Sequence, residues 1–349
     1  MESTVSDTHV VIVGGGIAGI TCAKELVQGG LKVTLVEKEA DIGGWAAECC
    51  CKAAERCNRC FVCVSDKERE SIRSLKKVTL LTDRRVQEVE RNSSGYVVRM
   101  RKEQGEAVEE VHADAVVFAT GFTPFDATKK GELGYGRYAD VITGLDLERM
   151  LRRRGNVYKP SDGEIPEKVA FIQCVGSRDE SIGHLYCSKA CCAYALRMAR
   201  VIRSQNPDSE ISFFYMDIQP AGRLFDETLK ACEEDPNFHF IRAIPSKVYQ
   251  YYQKSGLMMK ALNPEDGNIE EQFFDMIVLS IGMEPNMDNE GIWGNIGLKP
   301  NSEGFVDPQS CADGIFLAGT VSGPKDIERS IMDAKQAAFF VLQYLEGEQ

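Results

Sequence analysis

No apolar stretch of the 349-residue sequence comes near the roughly 20 residues that a membrane-spanning helix needs; residues 339–342 are among the longest. A membrane span is therefore not expected. Positive charge is scarce as well, with 41 Lys and Arg against 53 Asp and Glu and a formal net charge of −12, which argues against nucleic acid as a partner. Residues 1–8 are polar and run straight into an apolar segment, without the charged leader and apolar core of a secretory signal. The expected location is cytoplasmic, where thiols stay reduced and a disulfide framework is excluded.

What remains is the composition of a soluble globular protein, 43% hydrophobic and 27% charged, with length enough for two domains. Against that background stand 13 cysteines. Cys49, Cys50, Cys51, Cys57, Cys60 and Cys63 form one group and Cys174, Cys187, Cys191 and Cys192 another. Cys22, Cys232 and Cys311 are scattered and read as small buried hydrophobes. Grouped thiols in a reducing compartment point to metal or redox chemistry.

His9-Val10-Val11-Ile12-Val13 reads as a buried parallel strand, and Gly14-Gly15-Gly16-Ile17-Ala18-Gly19 follows at once. Gly14, Gly16 and Gly19 stand where a tight turn, a pyrophosphate and close helix packing exclude a side chain. A helix over 17–28, ended by Gly29-Gly30, and a strand over 32–36 then lead to Glu37. A carboxylate there accepts hydrogen bonds from ribose hydroxyls and repels a 2′-phosphate, so the expected ligand is an adenine dinucleotide other than NADP. Asp41-Ile42-Gly43-Gly44-Trp45 adds paired glycines similar to those with which FAD-binding domains of the glutathione-reductase type approach their cofactor.

Cys57, Cys60 and Cys63, three residues apart, can turn their thiolates toward one point like the first three ligands of a ferredoxin loop. A cubane needs a fourth, for which Cys49, Cys50 and Cys51 are candidates and Cys50 is taken. A four-cysteine zinc site and a redox dithiol are the alternatives.

Residues 78–114 alternate polar and apolar around a turn at Asn92-Ser93-Ser94-Gly95, as a β-meander does. An apolar strand over 115–118 then ends in Gly121-Phe122-Thr123-Pro124, and the pattern returns at 276–281 with Gly282-Met283-Glu284-Pro285. Two copies imply two related nucleotide-type domains. Between them, residues 125–165 read as a connector with a short helix over 145–154, whose Arg152-Arg153-Arg154 end is a solvated one without a site.

Residues 168–173 take the part that 10–13 take earlier, but they run into Cys174-Val175-Gly176-Ser177. A nicotinamide dinucleotide needs glycines there for its pyrophosphate, and Gly176 alone is present, so ordinary NADH binding is not expected. Cys187 and Cys191, four apart at the start of a helix running to about residue 203, share a face. With Cys192 adjacent and Cys174 ending the strand, four thiolates can meet at the mouth of the sheet, where open α/β folds bind ligands. Thiols packing strand against helix are the alternative, and His184 and Tyr186 read as packing residues.

A strand over 211–216 and a second meander through Tyr252 and Met258 follow. Gly314-Ile315-Phe316-Leu317-Ala318-Gly319-Thr320 then leads to Gly323-Pro324-Lys325-Asp326-Ile327 and a helix over about 328–345. A strand that ends in Ala-Gly and feeds a helix aims the helix's positive end at a flavin ring. Lys325 is assigned a place near flavin N5 or O4, where its ammonium tunes the potential; a solvated lysine is the alternative.

Taken together, Gln173-Cys174-Val175-Gly176-Ser177-Arg178, Tyr186-Cys187-Ser188 with Cys191-Cys192, Tyr215-Met216-Asp217-Ile218, and Gly314-Ile315-Phe316-Leu317-Ala318-Gly319 with Gly323-Pro324-Lys325-Asp326-Ile327 resemble the A subunit of heterodisulfide reductase, over nearly the whole chain. The resemblance implies an FAD-bearing iron–sulfur subunit that passes electrons within a larger complex, with a cluster on Cys174, Cys187, Cys191 and Cys192. The ferredoxin domains of the long methanogen form are missing, and the chain looks more like the short form in the heterodisulfide-reductase-like complex of sulfur oxidisers. That form implies iron–sulfur subunits and a lipoate-binding protein as partners. Thr320 stands where many relatives of glutathione reductase carry an Asp that holds the ribityl chain. A homodimer is a family-level expectation.

The expected fold is α/β, with two Rossmann-like nucleotide-binding domains of the glutathione/thioredoxin reductase type, the second inserted in the first, plus a cysteine-rich insertion. The FAD domain is expected over 1–125 and 286–349, with the cysteine segment at 45–66, a connector at 126–165 and the second domain at 166–285. The FAD site is expected to draw on Gly14, Gly16, Ile17, Ala18, Gly19, Glu37, Lys38, Gly43, Gly44, Trp45, Val86, Ala119, Thr120, Gly121, Gly319, Thr320, Lys325, Asp326 and Ile327, with Lys325 also acting on the chemistry. Two [4Fe–4S] clusters are expected, one on Cys50, Cys57, Cys60 and Cys63 and one on Cys174, Cys187, Cys191 and Cys192. The function that follows is electron transfer in sulfur-compound oxidation or disulfide/thiol redox metabolism. Its rivals are a stand-alone NADH-dependent disulfide reductase with a Cys57/Cys60 dithiol, and a zinc-stapled flavin-binding scaffold.

Overall fold

The computed structural model describes residues 8–50, 57, 60–103, 105–220, 225–251, 256–262 and 267–347. The chain divides into two units. The first takes Met1–Ala47, Phe61–Thr123 and Glu284–Gln349, and the second takes Glu48–Cys60 and Pro124–Met283.

In the first unit His9–Val13 is the centre of a five-stranded parallel sheet in the order Ile315–Leu317, Ala115–Phe118, His9–Val13, Lys32–Val36, Val78–Leu81. Val10, Val11 and Ile12 are fully buried because both faces of the sheet are covered, which is why this strand reads as an unbroken apolar run. Helices Ile17–Gln28 and Ile327–Gly347 cover one face, their Ile20, Leu26, Ala334 and Val341 sharing a core with Val10, Ile12 and Leu35. The antiparallel meander Arg84–Asn92, Gly95–Lys102, Val108–Ala113 covers the other through Val86, Val98 and Met100. Each Val, Leu or Ile buried in this way contributes about 1.5–3 kcal/mol.

The second unit repeats the plan. Its parallel sheet has the order Phe238–Ile241, Glu210–Phe214, Lys168–Val175, Met276–Ile281, Val141–Thr143. A second meander is made by Lys247–Gln250, Leu257–Leu262 and Ile269–Phe274. Lys168–Val175 holds the place of His9–Val13, and Met276–Ile281 that of Ala115–Phe118, so the repeated closing strands mark two Rossmann-like units, the second inserted in the first. The edge strand differs. Val141–Thr143 comes from the stretch that reads as a connector, because three residues are too few to show a period.

The helix after it, Gly144–Arg154, opens with a capping box: the Thr143 hydroxyl accepts from the Asp146 N–H at 3.1 Å, and the Asp146 carboxylate accepts from the Thr143 N–H at 3.0 Å. Thr143→Ala removes half of that box and is expected to lower stability by about 1 kcal/mol, read as a lower midpoint of chemical unfolding. Among the described residues no helix is long and apolar enough to cross a membrane.

Candidate functional site

The glycine loop between His9–Val13 and Ile17–Gln28 is closed on two sides and open on the third. A Cβ on Gly14, whose φ is +108°, would lie 2.3 Å from the Ala119 carbonyl oxygen, and one on Gly19 would lie 1.9 Å from that of Gly14, whereas one on Gly16 would meet nothing within 4 Å. The open position is the one at which a pyrophosphate approaches the backbone and the helix N-terminus. Gly43 and Gly44 lie against this loop: the Gly43 N–H donates to Gly15 O at 2.7 Å, and a Cβ on Gly44 would come 3.1 Å from Gly16 Cα.

Glu37 is 8% exposed, and its carboxylate accepts from the Gly15 N–H at 2.6 Å and the Glu39 N–H at 2.9 Å, one on each oxygen. Each oxygen keeps a lone pair for a ribose hydroxyl. Beyond Ala119, the buried Thr120 hydroxyl has no hydrogen-bond partner, a state that costs about 1–3 kcal/mol and that a polar ligand atom would relieve. The residues around this loop therefore fit an adenine dinucleotide. Asn286 steadies the rim by donating to Thr120 O at 2.8 Å, and a Cβ on Gly121 would stand 3.9 Å from the hydroxyl of buried Thr320.

Gly319 has φ +76°, and a Cβ there would lie 2.6 Å from that of buried Ala18. Its N–H donates to Asp333 at 2.7 Å, and its carbonyl accepts from Lys325 Nζ at 2.8 Å. Lys325 also donates to the Ser322 hydroxyl at 2.8 Å and stands 3.7 Å from Asp333. Its ammonium thus ties down the turn. Asp326 accepts from the Arg329 N–H at 2.7 Å and caps the helix that Ile327 begins. Ile17 starts the first helix, Lys38 pairs with Asp288, Trp45 donates from Nε1 to Phe122 O at 3.0 Å, and Val86 is buried in the core beneath the meander. Asn286 and Asp333 are not legible as site residues in the sequence, since an Asp on an amphipathic helix reads as a solvated charge.

The corresponding loop of the second unit is built differently. Gly176 has φ +83°, and a Cβ on it would fall 2.0 Å from the Phe125 ring, so this glycine is roofed by an aromatic side chain where Gly16 faces open space. Lys168–Val175 carries a bulge between Ile172 and Val175, and Cys174 sits in it with φ +60°. Of the five non-glycine residues with positive φ among the described residues, Cys174, Arg178 and Lys189 belong to this one region. Such strain gathers at functional sites because the surroundings must enforce it. Gln173, beside Cys174, is buried with neither end of its amide partnered.

Each of Cys174, Cys187, Cys191 and Cys192 lies within electrostatic reach of the other three. Burial first, and the neighbouring thiols after it, push the Cys174 thiol up to about 11 and hold Cys191 well above the ordinary range. Donors face the sulfurs: Lys189 N–H to Cys187 Sγ at 3.3 Å, the Gln219 N–H to Cys192, and Arg178 to Cys174. Arg178 is itself held by Asp217 through both ends of its guanidinium. The helix begins at Cys191, so Cys187 lies on the preceding turn rather than sharing a helical face with Cys191; the left-handed Lys189 between them breaks the helix. Among the described residues no three Cys, His, Asp or Glu side chains are arranged to hold a single metal ion. A cubane asks instead for one sulfur at each of four irons, and four thiols within electrostatic reach of one another, with N–H donors on their sulfurs, suit that donor set.

Of the other cysteine group, Cys51 lies outside the described residues. Cys57 is exposed and Cys60 half-buried, while Cys63 is exposed on the helix Val62–Ile72 of the first unit. Residues 48–60 belong to the second unit, whereas the sequence pattern alone keeps 45–66 with the FAD domain. The attachment is made by helix Gly144–Arg154 and helix Cys191–Gln205. Arg149 pairs with Glu48 at 2.8 Å, Arg152 donates to Cys49 O at 2.9 Å, the Cys50 N–H donates to Glu148 at 2.7 Å, and Arg197 donates to Cys50 O. Arg197 and Glu148 also pair with each other, 9% and 5% exposed. Arg152 is therefore more than a solvated helix end. Glu148 could have been found in the sequence, because it falls beside Leu147 and Leu151 on the apolar stripe of its helix.

Residues 8–158 match the family described as Pyridine nucleotide-disulphide oxidoreductase. The chain is 39% identical over 241 residues to the A subunit of the H(2):CoB-CoM heterodisulfide,ferredoxin reductase of Methanothermobacter thermautotrophicus, covering 66% of this chain and 36% of that protein. It is 30% identical over 424 residues to the A subunit of the Ferredoxin/F(420)H(2)-dependent CoB-CoM heterodisulfide reductase of Methanosarcina acetivorans, covering 97% of this chain and 53% of that protein. The chain thus spans about a third to a half of the length of these curated relatives. Among solved structures, thioredoxin reductase from T. acidophilum matches with a TM-score of 0.64 at 16% identity, over 99% of this chain and 100% of that one. Thioredoxin reductase from Lactococcus lactis matches with 0.64 at 18% identity, over 98% and 100%. These structures show the fold.

Proposed function

Because the chain belongs to the family of heterodisulfide reductase A subunits, within the pyridine nucleotide-disulphide oxidoreductases, we propose that it is an electron-transfer subunit that binds FAD in its first unit and iron–sulfur clusters through its grouped cysteines. FAD, when bound, supplies the exchange between two-electron and one-electron chemistry. The glycine loop and the start of helix Ile17–Gln28 take its pyrophosphate, Glu37 takes the ribose, and the turn held by Lys325 and Asp333 packs beside Ala18. In the second unit Cys174, Cys187, Cys191 and Cys192 hold one cluster, and the N–H groups of Lys189 and Gln219 with the Arg178 guanidinium offset the negative charge on their sulfurs. A second cluster is held by Cys57, Cys60 and Cys63 with a further cysteine. Partners of this reading are the iron–sulfur subunits of a heterodisulfide-reductase-like complex and a lipoate-binding protein, the setting is sulfur-compound oxidation or thiol/disulfide redox metabolism, and the assembly is a homodimer.

One observation carries the reading: the only glycine left in the second loop, Gly176, is covered by Phe125, and cysteines stand around it. Such a loop suits sulfur ligation and leaves no approach for a second dinucleotide's pyrophosphate. The test is a count of iron, acid-labile sulfide and zinc on the full chain purified without oxygen. Iron and sulfide at about four of each per cluster are expected, and Cys174→Ser or Cys191→Ser is expected to remove about half of both. Iron-free protein whose flavin is bleached rapidly by NADH would instead establish the Cys57/Cys60 disulfide reductase, and zinc without iron the scaffold.

A further inference from the structure

We propose that the outward face of helix Ile327–Gly347 is the surface through which two copies of this chain associate, the helix of one lying antiparallel on the same helix of the other. The proposal rests on the homodimer of the reading above and deepens it by naming the surface.

A helix that covers one sheet needs one seam of side chains directed at it, and this helix carries two. Ala334, Ala337, Ala338, Val341 and Leu345 are buried in the core beneath it. On the opposite side stand Arg329, Met332, Gln336, Phe339, Gln343 and Glu346, all exposed. They follow one another by three and four residues in alternation, the spacing at which the side chains of two helices interdigitate. Met332, Phe339 and the adjoining Phe340 are 64%, 55% and 46% exposed, and among the described residues no other α-helix exposes a large hydrophobic side chain. The rings of Phe339 and Phe340 have their centres 6.0 Å apart, so they form one aromatic patch. Exposed apolar residues scattered singly are ordinary, whereas an apolar patch with a polar rim marks an interaction surface.

The order of residues along the seam selects the occupant. About the point between Ala337 and Ala338 the seam is complementary to itself: Arg329 and Glu346 stand equally far from that point on opposite sides, as do Met332 and Gln343, and Gln336 and Phe339. A twofold axis through that point lays Arg329 against Glu346 of the partner subunit at each end, with the aromatic patches between. Arg329 is free to turn outward, since it stands 3.9 Å from Asp326 and its side chain is still 53% exposed. A parallel pair would set Arg329 against its own copy and Glu346 against its own, so charge alone favours the antiparallel arrangement. In such an isologous contact every pairing occurs twice, which doubles the effect of each substitution.

The test is sedimentation equilibrium of the full chain over roughly 1–100 µM, where a dimer is expected. Phe339→Ser, at a surface position that folding does not need, is expected to raise the dissociation constant about a hundredfold or more, because each copy loses a ring from the contact. Arg329→Glu sets carboxylate against carboxylate at both ends and is expected to raise it about tenfold. Adding Glu346→Arg to Arg329→Glu is expected to bring back the wild-type affinity, a recovery that a merely structural role for either residue does not produce. Far-UV circular dichroism equal to that of the wild type establishes that each variant is folded. A wild-type dimer indifferent to Phe339→Ser or to Arg329→Glu, or a double variant no tighter than Arg329→Glu alone, overturns this surface and leaves the homodimer standing. A wild-type chain that stays monomeric throughout overturns both and leaves the helix face to another protein.

Discussion

Gly14→Ala is expected to yield protein without flavin and with little recoverable fold. The added methyl would lie 2.3 Å from the Ala119 carbonyl oxygen and 2.7 Å from its carbon, and neither can retreat, because Ala119 N–H is bonded to Val13 O at 2.8 Å inside the parallel sheet. The backbone conformation at φ +108° adds about 1–3 kcal/mol of strain for any residue with a Cβ. Against a total stability of about 5–15 kcal/mol, a clash with fixed backbone on top of that strain is decisive. Gly16→Ala makes the comparison informative, since φ there is −73° and the methyl meets open space. It is expected to fold with a nearly unchanged unfolding midpoint and to bind flavin roughly tenfold or more weakly, a loss of about 1.4 kcal/mol. Flavin content by absorbance and the thermal midpoint read both effects. Full flavin occupancy in Gly14→Ala, or unaltered affinity in Gly16→Ala, would move the dinucleotide site away from this loop.

Glu148→Ala is expected to have the next largest effect, on stability rather than ligand. Removing the carboxylate leaves Arg197 buried without its counterion, which costs about 3–5 kcal/mol, and it also leaves the Cys50 N–H without its acceptor. In a protein of this size the midpoint of thermal unfolding should fall by roughly 10 °C. The double variant Glu148→Leu with Arg197→Met would restore most of the loss at an ordinary buried pair. Here it is expected to restore only part, because both ends of the Cys50 peptide still lack partners. Full recovery in the double variant would show that the grip on residues 48–50 contributes nothing.

The features that could be read in the sequence are those governed by short-range sterics. Gly14, Gly16 and Gly19 declare a phosphate loop because three neighbouring positions forbid or omit a side chain for local reasons, and the unbroken run Val10–Val13 declares a strand covered on both faces. The paired closing strands at 115–118 and 276–281 reveal the duplication in the same way. What stayed hidden depends on residues far apart in the chain. Glu148 meets Arg197 across 49 residues and Cys50 across 98, and Phe125 reaches Gly176 from a stretch that reads as a connector. That Cys187 stands before the helix was hidden for a second reason: Lys189 adopts a left-handed conformation that its residue type does not advertise.

The interruption of one sheet by another sets an order of events while the chain is being made. The first sheet needs Ile315–Leu317 as its last strand, and that strand is synthesised after every strand of the second sheet. Ribosomes add about 5–20 residues per second, and domains fold as they emerge, so the cysteine-bearing unit has seconds in which to mature before the flavin pocket's sheet can be completed. The second sheet can therefore close first, and the sheet that carries the glycine loop is the last of the two to be finished.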